Sequence, residues 1–401
     1  MSDRLNIVIA GGGITGLTCA ALLARSDVAA RFKLTLVDVA ERPNFAASDD
    51  IALRVSAIAT GSAELLDSVG AWNSVVVARA CAYESMRVWD ADDTEESPSA
   101  LRFDAAEFAV PQLGFIVENV LLRTALLDVL DRHDVELRFA TAIRSVRREG
   151  RAYAVVVGDD ETLGADLIVA ADGARSFVRN CVGIETEAWP YQQEAVVTHL
   201  RPELPHQSTA WQRFLRDGPL GMLPLSDGRI SVVWSTTAAR AADAKAASDA
   251  QLGKMLTEAS GSVLGELVVE GPRGSFPLTA RHARNYVMPG VALIGDAAHA
   301  IHPLAGQGAN LGLQDAAELA RVVIDALARG LNPADRPVLR NYERARKGAN
   351  ATMLHFMTGL NRLFQSDSAI LGEIRSTGMR LFNRSGPIRE RAVKVALGVG
   401  R

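Results

Sequence analysis

Six residues near the amino terminus, GGGITG at 11–16, constrain the chain more than any other feature. They follow the apolar run Leu5–Ala10, which reads as a buried strand, and precede a stretch in which Leu17, Ala20, Ala21 and Leu22 fit a helix. The spacing is Gly11-x-Gly13-x-x-Gly16. Between a strand and a helix, the first glycine permits the tight turn and the second lets backbone approach a pyrophosphate. The third lets the helix pack on the strand. The helix amides then face the phosphates, where the positive end of the helix dipole favours an anion. A second strand, residues 34–37, ends at Asp38, about where a ribose hydroxyl needs an acceptor. The expectation is a dinucleotide-binding unit. The bland alternative is a glycine-rich turn with Asp38 a solvated strand end.

Residues 5–24 carry no charge, and that length would cross a bilayer. Four glycines interrupt the run, however, and each weakens a helix interior by roughly 1 kcal/mol relative to alanine. A secretory signal would also need a continuous apolar core after a basic start. Strand–turn–helix is the better reading. The 401 residues, 48% of them hydrophobic, suffice for two or three structural units. A net charge of −4 offers no basic excess for nucleic acid. Cys19, Cys81 and Cys181 are far apart with no CxxC, which argues against a disulfide framework or a structural zinc and for a reducing compartment. No second GxGxxG occurs, so one tightly held cofactor is expected, with any nicotinamide visiting without a fold of its own.

Two later stretches add to this. ADLIVAADGARSFVR (165–179) reads as a strand over 167–171 that ends in Asp172-Gly173. Arg175 and Arg179 follow four apart, on one helix face if a helix forms there. Taken alone, Asp172-Gly173 is a tight turn; the neighbouring charges raise a phosphate-side cluster as the alternative. GDAAHAIHPLAGQGANLGLQDA (295–316) follows a strand at 291–294, and a helix is expected from near Ala309. His299 and His302 are three apart, but no further ligand cluster lies nearby, and Pro303 disfavours helical geometry at His302. Capping and packing are expected of them rather than a metal.

With these stations in order, the chain resembles the flavoprotein aromatic hydroxylases that share the fold of para-hydroxybenzoate hydroxylase, and within them the ubiquinone-biosynthesis branch. Also carrying the resemblance are LRVSAIATGSAELLDSVGAW (53–72), LGFIVENVLLRTAL (113–126), RFLRDGPLGMLPL (213–225) and SVVW (231–234). It implies an α/β architecture: a discontinuous Rossmann-like FAD-binding domain (1–80, 111–180 and 271–345), a mostly antiparallel β-sheet substrate domain (81–110 and 181–270) and a carboxy-terminal helical region (346–401). Residues 191–200, 213–225 and 230–234 read as strands of the second sheet.

The resemblance also implies roles. Gly11, Gly13 and Gly16 would hold the FAD pyrophosphate and Asp38 the adenosine ribose. Arg54 and Arg123 would reach the cofactor, and Asp172 would lie by the pyrophosphate and a passing NAD(P)H. Gly295 and Asp296 would meet the ribityl chain. Gly306, Gln307 and Gly308 would lie against the isoalloxazine, with Pro303, Ala309 and Asn310 in the same turn. Thr15 departs from the more usual small or apolar residue. The helix starting near Ala309 would point its amino end at the flavin's N1–C2 edge, moving its pKa by at most about one unit toward the anion.

The activity implied is FAD-dependent monooxygenation of a polyprenylated phenol, using O2 and NAD(P)H or another electron donor, through a flavin C4a-hydroperoxide. Two alternatives stay open: a hydroxylase of a small soluble phenol, and a flavin-holding assembly subunit with little turnover. His199 and Tyr191 are candidate bases, each as readily structural. The tail from Arg362 to Arg401 has eight basic and three acidic residues interleaved with Ile370, Leu371, Ile374, Met379, Leu381 and Phe382. It reads either as a basic amphipathic surface for a membrane or a ubiquinone-biosynthesis complex, or as a helix packed on the flavin domain. The expected location is cytoplasmic, at the periphery of the inner membrane.

Overall fold

In the computed structural model, which describes residues 4–302, 306–366 and 368–398, Leu5–Ala10 lies between two parallel partners. Phe32–Val37 pairs on one side, with Leu5 opposite Phe32, and Leu167–Ala170 on the other, with Ile7 opposite Leu167. Val291–Leu293 continues the sheet in parallel beyond Leu167–Ala170, and Val135–Arg138 beyond Phe32–Val37; Val287–Met288 closes one edge antiparallel. Strands of a parallel sheet are covered on both faces, so they read as unbroken apolar runs rather than alternations. Ile7, Ile9, Leu34, Leu36, Leu167 and Val169 are accordingly all buried.

This topology brings the sequence motifs together. The GGGITG loop, the Asp172-Gly173 turn and the Gly295-Asp296 turn leave the same end of three neighbouring strands. That carboxyl edge is where ligands bind in open α/β sheets. The uncharged stretch over 5–24 is a strand and the helix Ile14–Ala24, as expected. Gly11 takes φ +107°, and a Cβ there would strike the Ala171 carbonyl; one at Gly16 would strike the carbonyl of Gly11. The first and third glycines thus serve the turn and the helix–strand contact.

A second sheet of nine strands is antiparallel throughout except where Thr209–Leu215 runs parallel to Ser85–Asp90. Its spine is the long strand Thr186–Pro202, flanked by Ile230–Thr237 and Gly274–Ala283. Two expectations change here. The single strand read over 213–225 is a hairpin of Thr209–Leu215 and Gly218–Pro224, because the chain reverses at Arg216-Asp217. Gly274–Ala283, read as part of the nucleotide-binding unit, hydrogen-bonds along Thr186–Pro202 instead, since that seventeen-residue strand has an open edge to fill. Cys81–Tyr83 joins Val55–Ala59 and Gly114–Glu118 in a separate small sheet.

The helix Arg336–Gln365 packs its first half on the nucleotide-binding unit, against Gln307–Ala328 and Val287–Met288, and its second half on the Thr209–Leu215 and Gly218–Pro224 strands of the large sheet; Ala369–Arg384 lies on Leu101–Asp104 of that sheet, and Pro387–Leu397 buries Val393 and Leu397 against Ala105 and Leu113. Phe364 stacks on Phe214 with centroids 4.0 Å apart. Arg375 Nε donates to Asp90 Oδ2 at 2.8 Å in a buried pair, and Arg389 pairs with Glu107 at 2.7 Å. Met379, Val393 and Leu397 are buried, while Leu381, Ile388 and Val395 are exposed. Side chains of Ile370, Leu371 and Ile374 lie outside the described residues. No described helix is long and apolar enough to cross a membrane.

Candidate active site

A cavity of about 1630 Å³ opens at the carboxyl edge of the parallel sheet and continues beneath the large sheet and the last helices. Pockets for one small ligand run to roughly 300–1,000 Å³, so this one has room for more than one occupant. Its polar end is lined by Gly13, Asp38, Arg54 and Arg123 from the first half of the chain. Asp172, Asp296, Gly306, Gln307, Gly308 and Ala309 line it from the second. Residues nearly three hundred positions apart therefore share one wall.

Two helices point their amino ends into this space. Ile14–Ala24 begins after Gly13, and Gln307–Ala328 begins after Gly306, which takes the left-handed φ of +62°. Neither has a side-chain cap or an acidic residue in its first turn. The positive end of each helix dipole therefore favours an anionic or carbonyl oxygen in this space. A Cβ at Gly13, Gly173 or Gly308 would meet no protein atom within 4 Å, so what these glycines leave room for is not protein. That space, with uncapped helix ends at either side, suits a long ligand with a phosphate middle and a flat ring.

The charged groups fit the same occupant. Arg123 Nε donates to the Gly12 carbonyl at 2.8 Å, fixing the loop from below. Asp38 accepts from Gly12 N at 2.5 Å and Ala40 N at 2.7 Å, so it shapes the loop as well as facing the cavity. Asp172 accepts from Ser176 Oγ at 2.5 Å and Val178 N at 3.1 Å. Arg54 makes no hydrogen bond or ion pair through its side chain among the described residues. Asp296 has free surface on the cavity yet sits deep in the molecule. That depth raises its pKa; the positive charges of His299 and Arg54 work against the rise without cancelling it. A hydroxyl donor beside Asp296 would relieve the penalty.

Several expected site residues act elsewhere. Asn310 does not line the cavity: its Oδ1 accepts from Ala59 N and its Nδ2 donates to Ala57 O, both at 2.9 Å, so its amide is spent holding the Val55–Ala59 strand. Gly295 is buried, and its N–H donates to Asp315 Oδ2 at 3.1 Å. Gly11 and Gly16 shape the loop from behind. Pro303 lies outside the described residues. Arg175 lines the cavity, but Arg179 turns inward and donates to Ala297 O at 2.8 Å and Ala174 O at 3.0 Å. Ser176 caps the short helix Phe177–Cys181 and rotates the two arginines apart. His199 is fully buried within the large sheet, on the Thr186–Pro202 strand, and Tyr191 spends its hydroxyl on Thr358 at 2.8 Å; neither lines the cavity as a base would. Thr15, the departure in the first loop, fills the space that Gly295 and Gly312 leave, locking the first helix to the late turn.

A buried network beneath the late turn carried no expectation. Asp315 Oδ2 meets His299 Nε2 at 2.5 Å, and Oδ1 accepts from Arg346 Nε at 2.7 Å and Asn350 Nδ2 at 3.0 Å. Burial pushes the Asp315 pKa up, but His299 and Arg346 outweigh that and hold it below the usual carboxylate range. The signal was present: Leu339, Tyr342, Arg346 and Asn350 recur on one helix face, with a charge where an apolar residue belongs.

His302 ties the turn to the large sheet, its Nε2 3.2 Å from Gln193 Oε1. Burial pushes its pKa from 6.5 down to about 4. His282 also falls to about 4, through burial and the nearby charges of His299, Lys347 and His355. Between pH 4 and 6.5 the unfolded chain therefore binds more protons than the folded one. Stability is full above pH 6.5 and drains away as pH falls toward 4. His302 alone sets an upper bound of about 3 kcal/mol. Urea midpoints at pH 7 and pH 5 check this: the midpoint at pH 5 is lower, and His302→Gln shrinks the difference. Equal wild-type midpoints contradict it.

Comparison with known proteins points to the cofactor. A model of the FAD binding domain matches residues 4–357. The chain is similar to 3-demethoxyubiquinol 3-hydroxylase of Escherichia coli (strain K12), 36% identical over 98% of this chain and 98% of that protein. It is similar to the ubiquinone hydroxylase UbiL of Rhodospirillum rubrum, 34% identical over 98% of this chain and 89% of that one. Among solved structures, p-nitrophenol 4-monooxygenase PnpA from Pseudomonas putida DLL-E4 shares the fold, with a TM-score of 0.77 at 18% identity over 99% of this chain and 97% of that one.

Proposed function

The chain belongs to the FAD-dependent hydroxylases of ubiquinone biosynthesis, and on that premise we propose that it hydroxylates the ring of a polyprenylated phenol, with O2 as the source of the added oxygen. The observation that carries the substrate class is the continuity of the cavity. From the glycine-lined end it runs into an apolar wing walled by Phe214, Met357, Phe364, Met379, Phe382 and Leu397. A prenyl chain suits that wing, and apolar walls filled by such a chain would hold back the water that diverts oxygen chemistry. When bound, FAD supplies the activation of O2. Gly13 and the amino end of Ile14–Ala24 would hold its pyrophosphate, and Asp38 would take the ribose. Arg54 and Asp296 would meet the ribityl chain. Gly306, Gln307 and Gly308 would bear on the ring, and the first turn of Gln307–Ala328 would supply a positive dipole end to it. Arg123 and Asn310 act through the loops they brace.

Reducing equivalents come from NAD(P)H or a protein donor passing the Asp172-Gly173 turn. The last two helices expose Leu381, Ile388 and Val395 beside the outward-facing Arg380, Arg384 and Arg391. Apolar and basic groups so combined fit an anionic bilayer surface, where a lipid-borne substrate resides.

Chain length tests the substrate class. Each buried CH2 contributes about 0.8 kcal/mol, so apparent affinity rises at least tenfold with each of the first isoprene units added to a phenol. Turnover of unprenylated phenols at equal efficiency contradicts the reading. In cells lacking the protein, the accumulating quinone precursor is a prenylated ring short of one hydroxyl.

A further inference from the structure

The large sheet turns a nearly smooth platform toward the cavity, and one position on it is missing a side chain. Gly221 lies inside the strand Gly218–Pro224, opposite Gln212 on one neighbour and Val233 on the other. Its φ is not in the left-handed region, and a Cβ there would find only the Val233 carbonyl, at an ordinary 3.8 Å. Neither backbone conformation nor crowding calls for glycine. Glycine in a strand interior weakens the strand and often marks where a ligand comes close. Pro219 and Leu223 flank the gap along the strand, and both line the cavity with Gln212 and Val233. The result is a notch one side chain deep with three apolar edges and one amide.

The amide is the second observation. Gln212 is 8% exposed and lines the cavity, and its side chain makes no hydrogen bond among the described residues. Of the side chains that this sheet turns to the cavity, Gln212 carries the only amide among the described residues. Its amide therefore opens onto the cavity, and an occupant that fills the notch and shuts solvent out is expected to bring a polar atom to it. A carboxamide both donates and accepts, and it carries no charge. It therefore matches a phenolic hydroxyl.

We propose that the Gly221 notch seats the aromatic ring of the substrate, and that Gln212 reads its hydroxyl by hydrogen bond. The proposal rests on the polyprenylated-phenol reading above and adds the residues that recognise the ring. Gln212 touches substrate as a specificity determinant; being neutral, it is not the base.

Oxidised holoprotein is titrated with 2-farnesylphenol and with farnesylbenzene, which lacks the hydroxyl, and binding is followed by the perturbation of flavin absorbance. The wild type is expected to prefer the phenol by about tenfold or more, equivalent to about 1.4 kcal/mol. Q212L should bind both compounds with the hydrocarbon's affinity. G221V, which fills the notch with a residue strands favour, should lose at least tenfold for both. FAD content and thermal melting verify that each variant is folded. A phenol preference that survives in Q212L, or wild-type binding by G221V, overturns the proposal and leaves the substrate class standing. A wild type that binds both compounds equally overturns the hydroxyl contact. A wild type that binds neither removes the substrate class and the proposal together.

Discussion

Replacing Gly308 by leucine yields a folded protein that no longer holds FAD. A Cβ at this position meets no protein atom within 4 Å, so the apoprotein has room for the new side chain. The room it takes is the cavity, one residue into the helix whose amino end would face the flavin ring. Apoprotein stability should stay within about 0.5 kcal/mol of wild type, as for substitutions that break no contact. FAD affinity should fall by about a hundredfold or more, equivalent to about 2.7 kcal/mol. Gly306 makes the contrast. Its left-handed φ and the adjacent Ala57 Cβ leave no place for a side chain, so Gly306→Ala weakens the apoprotein itself. Thermal melting of apoprotein with an FAD titration separates the two effects. A yellow, stoichiometric Gly308→Leu holoprotein contradicts the ring contact.

The second large effect is on the fold beneath that ring. Asp315 is fully buried and accepts from Gly295 N, Arg346 and Asn350 while meeting His299. Asp315→Leu strands the Arg346 guanidinium, itself 1% exposed, without its counter-ion. Breaking a buried pair from one side costs about 3–5 kcal/mol. Removing both charges costs less than removing one, because the penalty is chiefly that of the unpaired survivor. Urea denaturation should therefore place the Asp315→Leu/Arg346→Met double variant above the Asp315→Leu single variant in stability. The reverse order would show that Arg346 finds another partner. Because the folded-state pKa of Asp315 is lowered, its contribution is complete above the ordinary carboxylate pKa and lost as pH falls below it.

Much of this was legible from residues alone. Apolar runs without alternation marked the parallel strands, and the glycine spacing marked the loop after the first. Asp38, Asp172 and Asp296 each follow a strand; the family resemblance gathered them around one cofactor, and the strand order shows the sheet edge they share. The hidden parts are those decided by partners distant in sequence. Asn310 follows the glycine turn and reads as a ligand; only the paired Val55–Ala59 backbone shows its amide already engaged. Arg179 has the spacing of a phosphate clamp, but the cap at Ser176 sends it inward. The tail reads equally as a basic surface or as a packed helix, and nothing in it singles out Arg375, which finds Asp90 across 285 positions and is buried. Gly221 and Gln212 were invisible as a pair, because the register that sets them side by side belongs to a hairpin that the sequence presents as one strand.

Isotope incorporation tests the central claim most directly. Purified holoprotein, given an electron donor, a farnesylated phenol and 18O2, should release a product with one additional hydroxyl whose oxygen is labelled. Unlabelled hydroxyl oxygen, or donor oxidation that never yields a hydroxylated ring, would contradict the account.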